Sequence, residues 1–178
     1  MDKQILIATV NRLFADHKGL LAMDESTGTC NKRFAALGIP QTAEMRRRYR
    51  EMLVTTPGLH EGISGAILFD ETIRQQKTDG TPFIKILMDA GIIPGIKVDL
   101  GAQPMTGFPG EKLTEGLDGL GSRLVEYREM GARFAKWRAV INMGDGIPSV
   151  GAIEANAHAL ARYAALCQEA GLVPIVEP

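Results

Sequence analysis

Lys97 and Asp99 are separated by one residue at the end of the run Ile93 to Asp99, and Lys136 and Arg138 stand in the same relation in Arg133 to Arg138. In an extended chain such pairs share one face, while Ile96 and Val98, or Ala135 and Trp137, take the other. A fully buried strand would not tolerate two charges on one face, so each pair marks a strand end that opens on a cavity. Asp24 and Glu177 close comparable runs, Gly19 to Asp24 and Leu172 to Glu177, and Ile63 to Asp70 also ends in a carboxylate. If these ends converge, Lys97, Lys136 and Arg138 meet Asp24, Asp99 and Glu177. Clustered cations bind phosphate and other oxyanions, and a second positive charge depresses the pKa of a neighbouring lysine. Neutral lysine attacks carbonyls, and a carboxylate beside it can shuttle the protons of imine formation, dehydration and carbon–carbon cleavage. The residue types thus suggest Schiff-base or enediolate chemistry on a phosphorylated sugar. The competing reading pairs the same charges with one another as polar layers inside a barrel.

Positioning these groups is the task of a repeating strand–helix unit. Helical spacing of apolar residues runs through Thr42 to Val54, Pro82 to Ala90, Leu117 to Met130 and Ser149 to Ala170, each lying between two of the short runs. Gly91, Gly131 and Gly171 follow helical patterns directly, where a left-handed residue ends a helix. The strand ends at Asp24, Asp70, Asp99, Arg138 and Glu177 are spaced by 46, 29, 39 and 39 residues. Such spacing suits βα units of a parallel sheet with right-handed crossovers. Neither Gly-x-Gly-x-x-Gly nor Gly-x-x-x-x-Gly-Lys-Ser/Thr occurs, which weighs against a doubly wound nucleotide-binding sheet. Charged side chains at the C-terminal ends of the strands favour an α/β fold of the (β/α)8, or TIM, barrel type, whose chemistry sits at that mouth. Residues 1–178 read as a single domain or part of one, with the Pro- and Gly-rich stretches Gln103 to Gly110 and Gly144 to Pro148 as loops.

Bulk composition removes several classes of partner. The 178 residues carry 20 Lys and Arg against 21 Asp and Glu, so nothing draws the chain to nucleic acid at long range. No apolar stretch approaches the roughly 20 residues of a membrane span. Asp2 and Lys3 precede a short amphipathic run without the order of a signal peptide, so a cytoplasmic location is expected. Cys30 and Cys167 are too few and too far apart for a disulfide framework and read as reduced thiols. Three scattered histidines give no metal-ligand spacing, and no metal site is expected. The methionines are dispersed and read as core filler.

Several blocks, in order, carry a family resemblance: Leu20-Leu-Ala-Met-Asp-Glu-Ser-Thr-Gly28, Arg46-Arg-Arg-Tyr-Arg50, Gly65-Ala-Ile-Leu-Phe-Asp-Glu-Thr72, Gly95-Ile-Lys-Val-Asp99, Gly116-Leu-Asp-Gly-Leu120, Phe134-Ala-Lys-Trp-Arg138 and Val173-Pro-Ile-Val-Glu-Pro178. Together they resemble class I fructose-bisphosphate aldolase over nearly the whole chain. The resemblance implies reversible cleavage of fructose 1,6-bisphosphate to dihydroxyacetone phosphate and glyceraldehyde 3-phosphate in glycolysis and gluconeogenesis. The reaction would proceed through a lysine imine, with no metal or other cofactor and a small phosphorylated sugar as partner. It further implies catalytic roles for Asp24 in proton transfer at the carbinolamine, for Lys136 in steering charge beside the imine, and for Glu177 as the acid/base of water loss. Substrate-binding positions would be Arg33 at the 1-phosphate, Arg46 and Arg138 as further arginines, Lys97 as a source of positive potential and Ser26 as a hydroxyl contact. The complete protein would be a homo-oligomer, a tetramer.

Blander roles compete residue by residue. Ser26 or Thr27 could cap the following helix, and Arg47, Arg48 and Arg50 read as a solvated helix face. Trp137 is expected to pack against outer helices. The imine-forming lysine of the family lies on the sixth strand, whereas the fifth ends at Glu177. The expectation is therefore an incomplete TIM barrel containing about five strands, the N-terminal part of an aldolase, inactive alone and lacking roughly 115 further residues of a full barrel. The alternative is a non-catalytic half-barrel acting as a binding or assembly protein, with exposed edge strands as its hazard.

Overall fold

A computed structural model describes residues 3–178, so Asp2 lies outside the described residues. The chain runs through α1 (Lys3–Leu13), a 3-10 turn (Ala15–His17), β1 (Gly19–Met23), α2 (Thr27–Ala36), α3 (Ala43–Val54), α4 (Leu59–Gly62), β2 (Ile63–Leu68), α5 (Asp70–Ile73) and α6 (Phe83–Asp89). It continues with β3 (Ile93–Lys97), β4 (Gly101–Pro104), β5 (Lys112–Glu115), α7 (Leu120–Met130), β6 (Phe134–Arg138), α8 (Val150–Glu169) and β7 (Val173–Glu177). Five parallel strands form one sheet in the order β1-β2-β3-β6-β7. Every neighbour is therefore the next parallel strand along the chain, without the reversal of order that defines a doubly wound sheet. This is the connectivity of a (β/α)8 barrel, carried here through five strands curled into a half-barrel.

The two faces of the sheet hold different cores. On the outer face Met23, Ala66, Leu68, Ile96, Val98, Ala135 and Trp137 are buried in a cluster with residues of the surrounding helices, among them Leu87, Leu124 and Tyr163. Trp137 is fully buried with its ring centroid 5.5 Å from that of Tyr163 on α8, as its place in the strand predicts. On the inner face Ile67, Ile93 and Phe134 join Leu13 of α1, with Val173 and Ile175 packed beside them. Phe134 has room only because its neighbours lack side chains. A Cβ on Gly65 would stand 3.1 Å from the Phe134 ring and 2.7 Å from Leu13, and one on Gly95 would overlap the ring outright. This apolar floor lies one residue pair below the charged one, because Gly95 pairs with Phe134 and Lys97 with Lys136.

Helix boundaries follow local chemistry. The side chains of Ser26, Thr42 and Ser149 accept from the amides of Thr29, Met45 and Ala152, capping α2, α3 and α8. Gly91 and Gly171, with φ of 77° and 76°, turn the chain from helix into β3 and β7 in a conformation that side chains rarely adopt.

The loop read from Gln103 to Gly110 is the tip of an antiparallel hairpin, β4 paired with β5 from Gly101↔Glu115 to Pro104↔Lys112, with only its first two residues, Gln103 and Pro104, inside β4. One expectation needs correction. Asp70 does not end a strand at the mouth. It opens α5 and pairs with Arg74 at 2.9 Å and with the Tyr127 hydroxyl at 2.9 Å. No helix among the described residues is long and apolar enough to cross a membrane.

Candidate active site

Parity along the strands carries the charges to the inner face. Lys97 is two residues beyond Gly95, Lys136 two beyond Phe134, and Glu177 two beyond Ile175, so each continues a row that begins in the inner apolar floor. Arg138 and Glu177 are register partners on adjacent strands. Asp24, the residue after β1, extends the row to the opposite edge of the half-barrel.

Lys136 stands at the centre. Its Nζ lies 3.1 Å from Asp24 Oδ2 and 3.2 Å from Glu177 Oε2, although Asp24 comes from the first strand and Glu177 from the fifth. Glu177 also faces the Arg138 guanidinium, with Nε 3.4 Å from Oε1. On the neighbouring strand Lys97 Nζ donates to Asp99 Oδ1 at 2.7 Å and to the Asp99 carbonyl at 3.2 Å. Asp99 is buried, and its carboxylate also accepts from the amides of Gly101 and Arg138. It thereby ties Lys97, the root of the hairpin and the end of β6 together. A cavity of about 340 Å³ opens between these groups, with Asp24, Ser26, Lys97, Asp99, Lys136 and Arg138 in its lining.

Electrostatics at Lys136 run against the expectation of a lysine depressed by neighbouring cations. Burial disfavours its ammonium, but hydrogen bonds and charge from Asp24 and Glu177 outweigh that penalty and raise its pKa above the ordinary lysine value. Lys136 is held as a cation, which suits charge stabilisation and proton donation rather than nucleophilic attack. Glu177 and Arg138 are the more exposed members, at 38% and 60% of their side chains; Arg138 lines the cavity, and Glu177 stands behind it, paired with Arg138 and Lys136.

The remaining arginines separate into two groups. Arg33 is 61% exposed and forms an ion pair with Glu25, a cavity-lining residue, so its guanidinium lies at the rim. Arg46 is buried and does not line the cavity. Its Nη2 lies 2.7 Å from Glu71 Oε1, its Nε donates to Glu71 Oε2 at 2.9 Å, and its Nη1 donates to Asn31 Oδ1 at 2.9 Å. Arg50, expected on a solvated face, is completely buried, forms an ion pair with Glu71 and donates to the Glu25 carbonyl at 2.9 Å. Ser26 caps α2, the blander role weighed for it, and also lines the cavity. Glu25 and Thr29, which also line the cavity, carried no separate signal beyond their position beside Asp24 and Ser26.

Among the described residues no three His, Cys, Asp or Glu side chains gather as a group that could hold a metal ion. Cys30 and Cys167 are free and buried, and burial pushes the Cys167 thiol up to about 12. What the mouth gathers is three cations, Lys97, Lys136 and Arg138, each paired with a carboxylate of Asp24, Asp99 or Glu177.

A family model described as fructose-bisphosphate aldolase class-I matches residues 5–178. The chain belongs to the class I fructose-bisphosphate aldolase family. It is 65% identical over all of its 178 residues to a probable fructose-bisphosphate aldolase class 1 of Xanthomonas campestris pv. campestris, covering 53% of that protein. It is 54% identical over 173 residues to a cytosolic fructose-bisphosphate aldolase of Arabidopsis thaliana, covering 97% of this chain and 48% of the relative. A solved structure of the Plasmodium falciparum aldolase, in complex with TRAP and a small-molecule inhibitor, superposes with a TM-score of 0.95 at 47% identity. That match covers 98% of this chain and 51% of the other. The chain thus spans about half the length of the aldolases it matches, and its five strands correspond to part of their barrel.

Proposed function

We propose that this chain supplies the first five strands of the catalytic mouth of a class I aldolase acting on fructose 1,6-bisphosphate. The observation that carries the reading is the Asp24–Lys136–Glu177 triad, assembled from strands 112 and 41 residues away from the central lysine. A proton acceptor, a fixed cation and a second, more exposed carboxylate within 3.2 Å of that cation are the parts that carbinolamine formation and dehydration need. Glu177 is the acid/base on this reading, Lys136 holds developing negative charge, and Asp24 takes the hydroxyl proton. Lys97 and Arg138 provide the positive field for a phosphate, Arg33 a rim contact for the 1-phosphate, and Ser26 a hydroxyl.

Arg46 fits this scheme less well than its place in the motif suggests, because all three guanidinium nitrogens are engaged by Glu71, Asn31 and the Gln41 carbonyl. It supports the wall of the site rather than the ligand. The raised pKa of Lys136 leaves the imine to another lysine, which the family places on the sixth strand. The 178-residue polypeptide alone is accordingly inactive. The reading also places the complete protein in the cytoplasm, in line with the cytosolic name of the Arabidopsis relative.

The test compares two samples, the protein as its natural coding region produces it and the polypeptide of residues 1–178, in a coupled assay of fructose 1,6-bisphosphate cleavage. The first is expected to turn over and the second to show none. Turnover by pure 1–178 would overturn the assignment of the imine to a residue outside it, and no turnover by the first sample would overturn the aldolase reading.

A further inference from the structure

Arg50 is a cation with no exposure, on a helix whose other arginines include exposed ones, and it does not line the cavity. Burying a guanidinium is costly unless its donors are satisfied. Two partners offset part of that cost here, Glu71 through an ion pair and the backbone carbonyl of Glu25 at 2.9 Å, while the buried Nε has no hydrogen-bond partner. The second partner is the carbonyl of the residue that follows Asp24, in the peptide that joins Glu25 to Ser26.

The short link from β1 to α2 is pinned on both sides of that peptide. Before it, Met23 is buried and paired in register with Leu68 of β2. After it, Ser26 caps α2. Between them Asp24 must hold its carboxylate 3.1 Å from Lys136 Nζ with no regular secondary structure to fix it. Glu71, from the segment after β2, in turn anchors Arg50 together with Arg46, so the link is tied to the adjacent strand and to α3 at once.

We propose that Arg50 is a positioning residue: its bond to the Glu25 carbonyl sets the backbone so that the Asp24 carboxylate reaches Lys136. It acts through Asp24 and touches no ligand. The kinetic arm of the test rests on the aldolase reading above, and the spectroscopic arm does not.

Lysine in place of Arg50 keeps the charge for Glu71 but cannot grip two partners as a planar fork does. Arg50→Lys and Arg50→Met are compared with Leu124→Ala, a core truncation on α7 far from the link in sequence, each made in the protein its natural coding region produces. Thermal midpoints give the stability loss, fructose 1,6-bisphosphate cleavage gives kcat and KM, and NMR titration of the labelled Lys136 side chain reports whether Asp24 still faces it. Arg50→Lys is expected to lower kcat about tenfold or more with KM within about twofold, since small misplacements of catalytic groups are costly. It is also expected to move the Lys136 titration to lower pH. Arg50→Met should do the same more strongly, while Leu124→Ala loses stability with kcat and titration unchanged. If Arg50→Lys leaves both kcat and the Lys136 titration as in the parent, the positioning role is overturned. If the parent itself does not cleave, the aldolase reading fails, and the titration alone decides the role of Arg50.

Discussion

On the proposed reading, Glu177 and Lys136 divide the work of acid/base and charge stabilisation. Glu177 is the more exposed carboxylate of the triad and touches two cations; on the same reading it is the group that meets the ligand. Glu177→Gln removes the titrating oxygen and leaves a similar shape. In the complete protein kcat is expected to fall by about 100-fold or more, in the range of general acid–base contributions, with KM changed by no more than about threefold. A raised KM with kcat intact would remove Glu177 from the acid/base role. Lys136 responds to its two carboxylates. Because its folded pKa is raised, the stability it contributes is complete below the unfolded lysine value and is lost as pH rises through the folded one. Asp24→Asn should therefore shift the Lys136 titration downward and bring the alkaline loss of stability to lower pH, both measurable by NMR and by denaturation between about pH 9 and 11.

At the scale of elements, the inner floor and the buried arginine network hold the mouth in place. Gly95→Ala pushes a methyl into the Phe134 ring and is expected to destabilise by about 1–3 kcal/mol in urea denaturation. Combining it with Phe134→Leu should cost less than the sum of the two single changes, because they share one volume. Full additivity would mean that the contact does not limit the packing. The network has its own pH signature. Hydrogen bonding by Arg46 lowers the pKa of Glu71 below the ordinary 4.5, against the opposing effect of burial and with further help from Arg50. Its stabilisation is present above about pH 4.5 and lost as pH falls through the depressed value. Glu71→Gln should cost about 3 kcal/mol at neutral pH by stranding buried guanidinium charge, and should flatten the acid limb of the stability profile. An unchanged acid limb would show that other carboxylates set it.

The five strands and the helices α3, α6, α7 and α8 were legible from apolar periodicity, with Gly91, Gly131 and Gly171 marking the ends of the last three. The inward charges were legible from parity alone, as Lys97 with Asp99 and Lys136 with Arg138 show. The β4–β5 hairpin was not, since Gln103 and Pro104 read as loop and its pairing is antiparallel, unlike the parallel sheet around it. Arg50 was missed because a run of arginines reads as solvated. Its signal was the spacing of Arg46, Arg50 and Val54, the three buried positions of α3, each four residues apart on one face. Glu71, which makes that burial tolerable, lies 21 residues beyond Arg50, and no local pattern announces the pair.

Taken whole, the described sheet has two open edges, since β1 and β7 each pair on one side only. Unpaired strand edges recruit other chains, and Val173 and Ile175 of the inner face are only partly covered. The isolated 178-residue polypeptide should therefore self-associate with increasing concentration in sedimentation velocity, and a clean monomer over a tenfold concentration range would contradict this. In the longer aldolases of the family the matching region is about half of the chain, and there the same mouth would face the rest of the barrel. The most direct test of the central claim is borohydride reduction of the protein from its natural coding region, with and without dihydroxyacetone phosphate, followed by intact mass. The account predicts one covalent adduct per chain, formed only with the triose phosphate, accompanied by loss of cleavage and mapping to a lysine other than Lys136. Activity that survives reduction with no adduct, or an adduct on Lys136, would contradict it.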